Sequence, residues 1–205
     1  MPAFVKAIVN CVRGGSSQLE LSKPEKRRKM KEAKQPEPWL RGTLREVPAV
    51  GRAVLHALVL AQEDLIKWCG SLDRRQLNAR PNGVAPVAFH IRHVARSMDR
   101  LLTYAEGRQL DEQQMAVLRA ELDPDANPPE LFRELHTAIA NAELRIRVLA
   151  ASDLGAPRMV GRKELPTTLG GLLVHAADHT QRHVGQAIAT AKFVLALPAR
   201  SSDSD

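Results

Sequence analysis

From Pro48 onward the chain repeats apolar residues at the spacing of an α-helix. Val54, Leu55, Leu58, Ala61, Leu65, Ile66 and Cys69 recur three and four positions apart, which marks one apolar stripe on a helix that Gly70 ends. A loop with Pro81, Asn82 and Gly83 follows. Pro86 then opens a second helix through Phe89, His93, Ser97 and Leu101, and Gly107 stops it. A shorter helix is predicted from Leu110 to Leu122, bounded by Asp111 and by Asp123-Pro124. Pro128 and Pro129 open a third long helix, with Leu131, Leu135, Ile139, Ala142, Ile146 and Leu149 on one side. The stretch from Gly155 to Pro166 lacks helical periodicity and reads as an irregular crossover or a small hairpin. Thr167 or Thr168 caps a last helix running to Leu197, with Pro198 just beyond it.

Four long helices and one short one predict an all-α four-helix bundle over residues 38–198. Ahead of it, Gly-Gly-Ser-Ser and the run KPEKRRKMKEAK form a composition that cannot offset the entropy of ordering. Residues 1–37 are therefore expected to be a flexible basic leader, and 199–205 a disordered tail.

The charge distribution bears on the partners. The formal charge is +7, yet residues 1–36 hold nine Lys or Arg against three Asp or Glu, so the other 169 residues are nearly neutral. A nucleic-acid surface needs basic groups gathered on the folded face, and an aromatic content of 3% leaves little for base stacking. Nucleic acid is not expected as a partner. Cys11 and Cys69 form no disulfide framework or metal motif. No apolar run approaches the roughly 20 residues of a membrane-spanning helix, so a soluble, cytoplasmic protein is expected.

The candidate chemistry lies in the histidines. Five of the seven fall in two helices. His175, His179 and His183 stand at i, i+4 and i+8 on the last helix, one above the other on one face. His90 and His93 lie on the second helix. An i, i+4 pair can chelate one metal from a single helix, and His179 and His183 form such a pair. A third imidazole would complete the three-ligand, open arrangement of a catalytic metal site. His93 lies on the inward line of Phe89, Ser97 and Leu101; His90 competes for the same role. His175 and Gln186 could support the site from behind, while a capping or core role is the plainer reading of His175. His56 and His136 stand alone on their helices and read as structural, and Asp178 reads as a solvated flanking charge. Imidazole ligands suit one divalent transition metal, zinc or nickel before iron or copper.

The segments GGLLVHAADHTQRHVGQAIATAK and VAFHIRHVARSMDRLL resemble the last and second helices of the DinB-like (DNA-damage-inducible) superfamily. The first carries H-x-x-x-H followed closely by Gly185-Gln186, and the second carries His93-Val94-Ala95. The resemblance spans roughly residues 38–197 and departs from the commoner signature at Val184, where Arg or His often stands. It implies a four-helix bundle, often a homodimer, with a divalent metal on His93, His179 and His183. It further implies a metal-dependent transferase joining a small thiol, such as bacillithiol, mycothiol or glutathione, to an electrophile, or a related isomerase or hydrolase. The alternative is a metal-binding or stress-response module without turnover.

Overall fold

The structure is a computed structural model that describes residues 35–122 and 126–196. Apart from 35–37, the expected leader lies outside the described residues, as does the expected tail. In chain order the elements are α1 (Ala49–Cys69), α2 (Arg74–Asn78), α3 (Val87–Ala105), α4 (Glu112–Arg119), α5 (Pro128–Leu149), β1 (Pro157–Val160), β2 (Leu165–Thr168) and α6 (Leu169–Ala196). Three 3-10 turns join them, at Pro38–Leu40, Pro81–Gly83 and Ala120–Leu122.

The four long helices α1, α3, α5 and α6 form the bundle the periodicity predicts. α3 packs on α5 and α6, and α1 packs on α6 and α5. Their stripes meet in one core in which Leu58, Leu65, Ile91, Met98, Leu102, Leu135, Ile146, Leu169 and Leu173 are buried. Each such side chain contributes roughly 1.5–3 kcal/mol by leaving water. α1 and α5 approach closely at Gly51, where a Cβ would stand 2.3 Å from the Cβ of Ala150. Along the α3–α5 seam, Arg145 bonds Asp99 at 2.7 Å and Glu106 at 2.6 Å.

The structure adds detail to the expected elements. The loop before the second helix contains α2, set off by a capping box in which Asp73 Oδ1 accepts from the Gln76 amide and Gln76 Oε1 accepts from the Asp73 amide. Five residues are too few to show a period, so only the cap could have signalled this helix. α4 starts with the same device at Asp111 and Gln114, and its last turn tightens into the 3-10 turn Ala120–Leu122. The ambiguous crossover is an antiparallel hairpin, with Pro157 opposite Thr168 and Val160 opposite Leu165. Thr168 Oγ1 accepts from the Gly171 amide at 3.1 Å and so caps α6.

Among the described residues no helix is long and apolar enough to cross a membrane. Cys69 is buried, and burial pushes its thiol up to about 11. It is inert as a nucleophile at neutral pH.

Candidate metal centre

α3 and α6 lie side by side, and each turns imidazoles towards the other. His93 from α3 meets His179 and His183 from α6, one ring nitrogen of each lying within 4.8 Å of the other two. His93 Nε2 and His179 Nε2 are 3.3 Å apart. The His93 and His183 ring centroids are separated by 4.3 Å, and those of His179 and His183 by 4.7 Å. The i, i+4 step on α6 supplies two of the rings, and the α3–α6 contact supplies the third.

Every one of the three rings has a neighbour at its other nitrogen or on its face. Glu121 Oε2 lies 2.6 Å from His93 Nδ1. Ser97 Oγ lies 3.4 Å from His179 Nδ1, and His90 Nδ1 lies 3.1 Å from His183 Nδ1. Phe89 stacks on His93 with ring centroids 5.3 Å apart. His90 is thus behind His183 and outside the group of three. His175 is exposed, its ring 5.5 Å from that of His179. Gln186 is also exposed and has no hydrogen bond to the imidazoles among the described residues. Asp178 pairs with Arg182 at 2.5 Å on the outer flank of α6. His56 is buried beside Thr43, 3.2 Å from its hydroxyl, whereas His136 is exposed on α5.

Glu121 carries no sequence signal that would have marked it. It sits on the 3-10 turn after α4, is 3% exposed, and holds both His93 and Arg100. Burial raises its carboxyl, but the bonds to His93 and Arg100 outweigh this and hold it below the usual range. Arg100 also borders a cleft of about 810 Å³ between α3, α4 and α5. None of the imidazoles lines that cleft, and arginines in its wall are engaged by Glu134, Asp99 and Glu121.

Burial, reinforced by His93, lowers His90, His179 and His183 each to about 4. In an unfolded chain these rings titrate near 6.5. Between the two values the unfolded chain binds protons that the folded chain refuses, so stability falls as pH drops from about 6.5 to about 4. Thermal melts of the metal-free protein should show Tm declining through that window, more steeply than in a His179→Gln, His183→Gln variant. Equal slopes in the two proteins would contradict the assignment.

The model of the DinB superfamily matches residues 57–187, most of the bundle and all three clustered histidines. The chain belongs to the DinB superfamily. No curated protein matches it. Among solved structures, this DinB protein is similar to YfiT from Bacillus subtilis, described as a probable metal-dependent hydrolase with an unusual four-helix bundle topology. The TM-score is 0.53 at 16% identity, over 70% of this chain and 86% of that one. At that identity the likeness speaks for a shared fold.

Proposed function

We propose that this protein is a cytoplasmic metal-dependent enzyme that directs a small thiol, or water, at an electrophile. His93, His179 and His183 would hold one divalent transition ion, with zinc or nickel favoured over iron or copper. The observation that carries this reading is the convergence of three imidazoles from α3 and α6. Two nitrogens bonded at about 2.0–2.1 Å to one tetrahedral ion stand about 3.3 Å apart, which is the separation of His93 Nε2 and His179 Nε2. His179 and His183 are held neutral by burial, as ligands must be. Three protein ligands leave a position open, the pattern of catalytic rather than structural sites.

The chemistry such an ion supplies is Lewis acidity, which makes a thiol or water nucleophilic at neutral pH. The chain's own groups fix the rings: Glu121 from behind His93, Ser97 beside His179, His90 beside His183. Phe89 covers the face of His93 and limits water there. Cys69 is buried in the core, so its thiol is not the one that reacts. The metal-dependent description of YfiT supports the same reading. A homodimer belongs to it as well, since α1 and α6 leave Ile66, Phe193 and Leu195 exposed.

The test compares chelator-treated protein with protein reloaded with zinc or nickel. Each is given bacillithiol, mycothiol or glutathione together with an alkyl halide or epoxide, and separately a thiol conjugate in water. Mass spectrometry then separates thioether from hydrolysis product. Turnover that vanishes on chelation and returns with the ion is expected. Stoichiometric metal without any turnover would instead leave a non-catalytic metal-binding module.

A further inference from the structure

We infer that Glu121 is a positioning residue for His93, selecting the ring form that turns a free Nε2 lone pair towards His179 and His183. The inference rests on the metal reading of that cluster and extends it to a third element, the turn after α4. Placing a carboxylate where it is 3% exposed is unfavourable unless both oxygens are satisfied. Here Oε1 accepts from Arg100 Nη1 and Oε2 lies 2.6 Å from His93 Nδ1. The first contact anchors the carboxylate to α3, and the second sets its other oxygen on the His93 ring.

The second contact dictates the state of the ring. An ionised carboxylate can only accept hydrogen bonds, so the partner nitrogen must carry the proton. That nitrogen is Nδ1; in the neutral ring this leaves Nε2 as the bare nitrogen, and Nε2 is the atom facing His179. Arg100 keeps the carboxylate ionised and fixed, because its guanidinium stays charged and bonds the other oxygen. The Arg100–Glu121 pair is neutral as a unit. It therefore orients the ring while leaving the positive charge of a bound ion largely uncancelled.

The decisive measurement is the tautomer of His93 in the metal-free protein, read from the one- and two-bond couplings of its ring nitrogens by ¹⁵N NMR near pH 7.5. Wild type should show the proton on Nδ1. Glu121→Gln, whose amide oxygen can still accept, should keep that form, whereas Glu121→Ala should move the proton largely to Nε2. Zinc affinity, measured by chelator competition, should fall about 10–100-fold in Glu121→Ala, the usual cost of losing such a partner. Since Glu121→Ala strands a buried Arg100, the Arg100→Met, Glu121→Ala double variant repeats the reading without an unpaired charge. A proton found on Nδ1 in both alanine-bearing variants would overturn the inference. Because the tautomer is read without metal, a wild type that fails to bind zinc would count against the enzyme reading alone.

Discussion

A His179→Ala, His183→Ala double variant, purified without a histidine tag or metal resin, is expected to hold no transition metal where wild type holds about one equivalent. Two of the three converging imidazoles stand on α6, and His93 alone cannot retain an ion against water and buffer. The bundle should survive the change, since both rings are only half-buried and neither belongs to the apolar core. The effect should also appear as lost stabilisation. A ligand at 100 times its Kd adds about 2.7 kcal/mol to the folded state, and each kcal/mol moves Tm by about 2–4 °C in a chain of this size. Zinc should thus raise the Tm of wild type by about 5–10 °C and leave the variant unmoved. Equal and negligible metal in both proteins, persisting after zinc or nickel is added, would return these histidines to a structural role.

The second large effect is expected at Gly51→Ala. Helix propensity alone favours the change, because alanine is about 0.5–1 kcal/mol better than glycine within a helix. Packing opposes it. The new Cβ would stand 2.3 Å from Ala150 Cβ and 3.2 Å from Val47 Cγ1, and Ala150 has no flexible side chain to swing aside. Overfilling a packed core costs typically 1–3 kcal/mol, so the net result should be a lower Tm. Adding Ala150→Gly removes the colliding methyl and should recover part of the loss, a coupling that a double-mutant cycle reads directly. A Gly51→Ala protein more stable than wild type would show that α1 and α5 have room to part.

These expectations also mark how far the sequence could be read. The long helices were legible because their stripes run for many turns and end at punctuating residues such as Gly70, Gly107 and Pro128. The hairpin stayed ambiguous because four-residue strands bearing Pro157 and Pro166 lack a clear alternation. On α6 the histidines stood out because a single helix fixes their relative placement. The expected inward line of Phe89, His93, Ser97 and Leu101 could not separate His93 from His90. On α3 Phe89, His93 and Leu101 are only half-buried while His90 is buried, and it takes the packing of α3 on α6 to set His93 beside His179. Glu121 was beyond reach. Its role depends on the turn after α4 folding back against α3, and no spacing along the chain encodes that contact.

The separation of the clustered histidines along the chain bears on the order of folding. His93 and His179 are 86 residues apart, with α4, α5 and the hairpin between them. Joining ends across so long a span carries the entropy of closing a large loop, and contacts of such range tend to form late. An ion held by these rings therefore meets a bundle that is already built. It should slow unfolding while leaving the refolding rate nearly unchanged, as interactions absent from the transition state do. The ion would act as a latch on the finished bundle.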